Sequence, residues 1–230
     1  MMQREYEKHG FFSFSVGRNR ELCCVKHGES EISTICRILD VSRVEIRTKE
    51  GDKKFVLRGI IADDTAKLPF VSWAEREEFV KDTVVQIENA SAKRWKGLPT
   101  LYIGRDTKVR IVGDDIAFPR YAELIKPKKR TIGEIVRCEG AFDVIVEGNI
   151  VSIVEKPDGR TLVLDDGTGA VFLKLKSEEK EERIYFGMPV KARGNVAHSG
   201  NGYVLMAEEV KTSGEAFIIN EMKDFLCKYT

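Results

Sequence analysis

Short runs of apolar and β-branched residues mixed with polar ones, each closed by Gly, Pro or Asp, recur along the chain and predict strands. Residues 54–61 form one such run, ending at the turn Asp63-Asp64, and residues 68–73 form the next. Residues 84–90 and 100–103 flank a turn at Lys96-Gly97-Leu98-Pro99, and residues 35–44 open the set. Between the third and fourth strands, residues 74–80 have a helix-favouring composition and predict one helix. The same order returns later in the chain. Residues 144–154, 161–164 and 170–175 read as strands, 177–183 as a charged helix-compatible stretch, and 189–196 and 203–210 as the closing pair around Ser199-Gly200-Asn201-Gly202.

The two sets share a register. Thr65 meets Thr168 at an offset of 103, and both Trp95-Lys96-Gly97 with His198-Ser199-Gly200 and Leu101 with Val204 keep that offset. A fixed offset across several landmarks predicts a duplicated unit. Five strands with one helix between the third and fourth is the plan of an OB-fold, a small Greek-key barrel. The expected fold is therefore all-β with minor α: two tandem OB-fold (five-stranded Greek-key) barrels plus a C-terminal amphipathic helix. Residues 1–30 are an N-terminal extension, 31–112 the first OB-fold, 113–133 a linker, 134–212 the second OB-fold and 213–230 the helix. The linker carries Lys126-Pro127-Lys128-Lys129-Arg130 and is expected to be exposed. The last segment places Ile218, Met222, Phe225, Leu226 and Tyr229 on one helical face, suited to capping its own barrel or to packing in a homo- or hetero-oligomer. Phe11-Phe12-Ser13-Phe14 is apolar, with no identifiable partner in the sequence.

Composition narrows the class. With 230 residues, 42% apolar and 33% charged, the chain can bury a core, which excludes a disordered or collagen-like protein. No apolar run approaches the ~18 residues of a membrane span. No secretory leader follows Met1, so a cytoplasmic, nucleoid-associated location is expected. The five cysteines (Cys23, Cys24, Cys36, Cys138, Cys227) show no C-x-x-C spacing and predict free thiols. The net charge of +1 hides an asymmetry: residues 35–112 carry 16 Lys/Arg against 12 Asp/Glu, and residues 144–210 carry 8 against 11. Phosphates would be attracted to the first unit.

That unit also carries the candidate chemistry. Lys93, Arg94, Lys96, Arg105, Lys108 and Arg110 crowd around one predicted hairpin. Trp95 stands between Arg94 and Lys96 at its tip. Trp73 ends a strand on the opposite parity from Leu68 and Phe70, and Tyr102 alternates with Leu101 and Ile103. Unpaired bases stack on aromatic rings for ~1–3 kcal/mol each, while neighbouring cations neutralise the phosphates. Duplexes offer no open base faces, so the pattern favours single strands. The candidate nucleic-acid-binding residues are Trp73, Trp95, Lys93, Arg94 and Lys96, with Arg58 and Tyr102 in support.

These residues resemble the single-stranded-DNA-binding OB-folds of replication protein A in archaeal form. The likeness rests on residues 59–65, on Val71-Ser72-Trp73, and on residues 84–92 running into Arg94-Trp95-Lys96-Gly97-Leu98-Pro99-Thr100-Leu101. It implies stacking by Trp73 and Trp95, and work in DNA replication, recombination and repair. At the 103 offset the second unit has Lys176 and His198 instead; with residues 160–169 and the C-terminal segment, it looks more like the family's assembly-type OB-fold. Catalysis is not expected. His9, His27 and His198 lie apart, no nucleophile or phosphate-loop motif occurs, and Asp63-Asp64 and Asp165-Asp166 suit turns better than metal. No cofactor is expected. The alternatives are an RNA- or tRNA-binding OB module, and an assembly subunit without its own ligand.

Overall fold

The computed structural model describes residues 19–47, 51, 53–113, 117–156, 159–175, 184–200 and 202–212. The segments 11–14, 177–183 and 213–230, and with them the face Ile218, Met222, Phe225 and Leu226, lie outside the described residues, as does Lys176.

The first half forms six strands: β1 (Ile32–Arg47), β2 (Lys53–Ala62), β3 (Lys67–Ser72), β4 (Val84–Trp95), β5 (Leu98–Ile103) and β6 (Lys108–Ile111). They pair in the order β1-β2-β3-β5-β4-β6, and an additional β1–β4 pairing closes the first five into a barrel. All pairings are antiparallel except β3–β5. The second half supplies β7 (Lys128–Lys129), β8 (Ala141–Lys156), β9 (Gly159–Asp165), β10 (Ala170–Leu175), β11 (Pro189–Ser199) and β12 (Gly202–Thr212). Its order is β11-β12-β10-β9-β8-β7, again closed by a β11–β8 pairing and again with one parallel pair inside the ring, β10–β12.

Closure follows from alternation. Every second residue of β10 is buried, and the buried ones join a core containing Val146, Ile150, Leu162, Leu164, Val171, Leu173 and Leu205. In the first barrel the core holds Ile38, Ile61, Phe70, Val85, Ile87, Leu101 and Ile103. The long first strand must cross over its own sheet to close the ring, and β1 carries an irregularity between Ile38 and Asp40 where it does so. A Cβ built on Gly59 would stand 1.9 Å from the Asp40 carbonyl oxygen, so only glycine fits at that crossing.

Three sequence expectations need correction. Residues 74–80 form no helix. Phe79 is buried and packs on Phe70 at 5.0 Å between ring centroids, and seven residues are too few to hold a helix against that demand. The segment 113–133 is not a wholly exposed linker. It contains helix α1 (Tyr121–Leu124) and the start of α2 (Ile132–Arg137), and it buries Leu124 against Leu39 and Ala62 of the first barrel. Part of the N-terminal extension belongs to the first barrel, since Leu22 and Val25 lie in its core. Among the described residues, no helix is long and apolar enough to cross a membrane.

A short helical turn precedes each barrel and docks on an Asp-x-Thr turn. The Leu22 amide donates to Asp63 Oδ2 at 2.8 Å and the Cys23 amide to Thr65 Oγ1 at 3.2 Å. In the second unit the Ile132 amide donates to Asp166 Oδ2 at 2.7 Å and the Gly133 amide to Thr168 Oγ1 at 2.9 Å. Both carboxylates also accept from the amide and hydroxyl of the threonine two residues on. Burial opposes ionisation of Asp166, but hydrogen bonds from the Thr168 hydroxyl and from the Ile132, Thr168 and Gly169 amides hold its pKa below the ordinary carboxylate value. The first-unit carboxylate is buried and takes four donors. Asp63→Ala should therefore cost about 2–3 kcal/mol in urea unfolding followed by tryptophan fluorescence. An unchanged midpoint would remove this turn from the account of stability.

Candidate nucleic-acid interface

Strand register sets which side chains leave the first barrel. Gly59, Phe70, Leu101 and Ala92 lie opposite one another on β2, β3, β5 and β4, and the last three are buried in the core. The next row, Arg58–Val71–Tyr102–Ser91, then points away from that core; Val71 in it is buried and the other three are half-buried. Lys93, two residues from Ser91, and Trp95, two further on, share that face. So does Trp73, which extends the pairing one residue past β3 by donating its amide to the Ile103 carbonyl at 3.1 Å.

The two indoles are open: Trp73 is 50% exposed and Trp95 36%. Cations lie on the Trp95 and Tyr102 rings. The Arg58 guanidinium is 5.2 Å and Lys96 Nζ 4.8 Å from the Trp95 ring centroid, and Lys93 Nζ is 5.4 Å from that of Tyr102. The Arg58 Nε is buried and has no hydrogen-bond partner among the described residues. Lys93 and Lys96 form no ion pair among the described residues. One sheet face thus offers flat apolar rings with positive charge held against them.

Arg94 stands apart from this group. Its amide donates to His27 Nδ1 at 3.1 Å and its Nη2 to Glu139 Oε2 at 2.9 Å, so its charge is already matched by the second half of the chain. Lys108 and Arg110 lie at the far end of β4, paired across from Glu88 and Gln86, and Arg110 donates to Gln86 Oε1. They do not join the hairpin tip as their place in the sequence suggested.

That tip is tied to the second barrel. Lys96 and Gly97 take φ of 49° and 81°, the left-handed pair of a tight two-residue hairpin turn. The His198 amide donates to the Gly97 carbonyl at 2.9 Å, and a Cβ on Gly97 would stand 2.5 Å from the His198 oxygen. Behind the tip, Lys67 Nζ donates to both the Asp143 carboxylate and the Ile125 carbonyl, and Arg193 Nε donates to Asp143 Oδ1 at 2.8 Å. Sequence reasoning missed this cluster, because its members lie 50 and 76 residues apart and carry no local signature.

Structure also corrects the alignment of the two units. Val71 pairs with Tyr102, and Lys174 pairs with Met206 in the same way, so the offset of 103 on β3 has become 104 on β5. Across the hairpins, Trp95 pairs with Leu98 and Ser199 with Gly202. The counterpart of Trp95 is Ser199, not His198, and the counterpart of Leu101 is Leu205, not Val204. A one-residue slip in a strand exchanges its two faces.

For metal, Glu21, Cys23 and Cys24 bring their ligand atoms within 4.8 Å of one another. Burial pushes the Cys23 thiol up to about 12, with the Thr65 hydrogen bond acting in the opposite direction, so the thiolate a metal needs is disfavoured there.

No protein-family model and no curated protein matches the chain. Among solved structures it is similar to an OB domain from Thermoplasma acidophilum at 24% identity and a TM-score of 0.39, over 45% of this chain and 94% of that one. It is similar to a murine DNA-binding protein bound with double-stranded DNA at 14% identity and 0.41, over 78% and 97%. A replication protein A heterotrimer bound to single-stranded DNA matches at 10% identity and 0.35, over 90% and 71%. Scores this low do not decide what this chain binds. The class is set by strand pairing: an all-β protein containing a closed five-stranded barrel.

The cluster behind the hairpin has a testable pH dependence. Burial alone would raise the pKa of Asp143, but hydrogen bonds from Arg193 and Lys67 outweigh it and hold the carboxyl below its ordinary value. A depressed folded pKa contributes stability that is present above the unfolded value of about 3.9 and lost as pH falls through the folded one. Asp143→Asn leaves the buried Lys67 without its counter-charge, and should cost about 3 kcal/mol at neutral pH and flatten the loss of stability below about pH 4. Urea unfolding at pH 7 and pH 3 checks both; equal acid sensitivity in the two proteins would refute the assignment.

Proposed function

We propose that the chain binds single-stranded DNA without a chemical step, on the outer face of β2, β3, β5 and β4, and that its two barrels are tandem OB-folds. The observation that carries this reading is the pair of open indoles, Trp73 and Trp95, on one sheet face with Arg58, Lys93, Lys96 and Tyr102. Bases stack on the rings, and the cations neutralise the phosphates between them. Arg94 orients the hairpin through Glu139 rather than meeting phosphate. A protein of this kind protects exposed strands during replication, recombination and repair in the cytoplasm or nucleoid, as the resemblance to archaeal replication protein A implies. The segment 213–230, through Ile218, Met222, Phe225 and Leu226, is the proposed contact for partner subunits.

Trp95→Ala should weaken oligo-dT binding by about 1–3 kcal/mol at matched salt, read by quenching of the remaining tryptophan. Normal affinity in that variant would end the stacking role. Three phosphate-facing cations predict a slope of log K against log salt of about −2, and Lys96→Ala should make it shallower by about 0.7. A flat response in the wild type would remove the phosphate contacts. Competition between dT and rU oligomers tests the choice of sugar, and tighter binding of rU would turn the reading to RNA.

A further inference from the structure

The second barrel presents an exposed aromatic of its own. Phe172 lies on β10 opposite Val163 of β9 and Val204 of β12, and Val204 lies opposite Ala197 of β11. This row corresponds to Ile60, Pro69, Thr100 and Lys93 of the first barrel, which points away from that barrel's core, although Pro69 and Thr100 are themselves covered. Phe172 therefore stands on the second barrel's equivalent of the proposed DNA-binding face, at the place of Pro69 and not of Trp73. It is 41% exposed, and Met206, the counterpart of Tyr102, is 42% exposed beside it. The ring is held as well as open: a Cβ on Gly202 would stand 3.2 Å from Phe172 Cε2, so the absence of a side chain at Gly202 makes room for the ring against the backbone. Lys174, two residues on, is exposed and forms no ion pair among the described residues.

This face continues from the first. A Cβ built on Gly97 would lie 3.0 Å from the Ala197 Cβ, so the tip carrying Trp95 and Lys96 rests on the end of the Ala197–Val204–Phe172 row. From Ala197 to Phe172 is two strand spacings, about 10 Å. We propose that Phe172, flanked by Met206 and Lys174, is a second base-stacking platform that takes single-stranded DNA leaving Trp95 across the hairpin tip. The proposal rests on the first barrel's being the primary site. Phe172 and Met206 carry no charge, so their contribution is by stacking and is insensitive to salt.

The test uses the full chain with dT oligomers of about 8 and about 24 nucleotides, the shorter matched to one barrel and the longer to both. Phe172→Ala should leave affinity for the short oligomer unchanged and lower affinity for the long one at least fivefold, with little change in salt slope. Phe172→Trp should restore the long-oligomer affinity. Equal binding of the long oligomer by wild type and Phe172→Ala overturns the proposal, and does so more pointedly if sedimentation shows that Phe172→Ala has changed self-association, which would make the face a protein contact. The two readings fail separately. If Trp95→Ala weakens both oligomers while Phe172→Ala weakens neither, only the second platform falls; if wild type binds neither, the primary site falls with it.

Discussion

A closed sheet has one interior, and a strand can send only every second side chain into it. In the first barrel that interior is claimed by Phe70, Leu101, Ala92 and Ile103. Which strand residues point toward the candidate interface follows from their parity. With Phe70 inside, Val71 and Trp73 must point out; with Leu101 and Ile103 inside, so must Tyr102. The protein does not expose these rings for want of a better place. With these core positions filled, the rings stand outside the barrel, and Trp95 and Tyr102 hold Arg58, Lys96 and Lys93 against their negative faces.

The second constraint is the junction between the barrels. It joins Lys67 to Asp143 and Arg193, Arg94 to Glu139, and Gly97 to the His198 backbone, beside a cavity lined by Leu98, Pro99, Ala141, Phe142 and Val144. Buried charges are costly unless matched, so the charged part of the junction contributes direction more than binding strength. Asp143 faces two cations from different elements, and both must be in place for its charge to be satisfied. The hairpin tip is thereby seated against β11, which is why the outer faces of the barrels meet at Ala197 and do not lie at an arbitrary angle.

The two barrels share their strand order. Both barrels seat a helical turn on an Asp-x-Thr turn with matching atoms, a correspondence finer than overall strand order. They differ in the residues that point away from their cores. Trp95 gives way to Ser199 and Tyr102 to Met206, while an aromatic absent from the first barrel's middle row appears as Phe172. The strand order is shared, and the outward residues differ.

Much of the strand order was legible in the sequence, since alternation and turn residues are local signals: β2, β3 and β10 appear within a residue or two of their expected ends. The parity of Trp73 and Tyr102 was legible for the same reason. What failed was non-local. Residues 74–80 look helical by composition, yet Phe79 is needed against Phe70, and residues 19–25 look structureless until the barrel core receives Leu22 and Val25. Basic residues clustered in sequence separated in space, Arg94 finding Glu139 and Arg110 finding Gln86. A pattern along one strand fixes which side a residue faces. Only pairing between strands fixes what it faces, because charge matching and register depend on residues brought together across the closed sheet and the junction, from positions the chain keeps far apart.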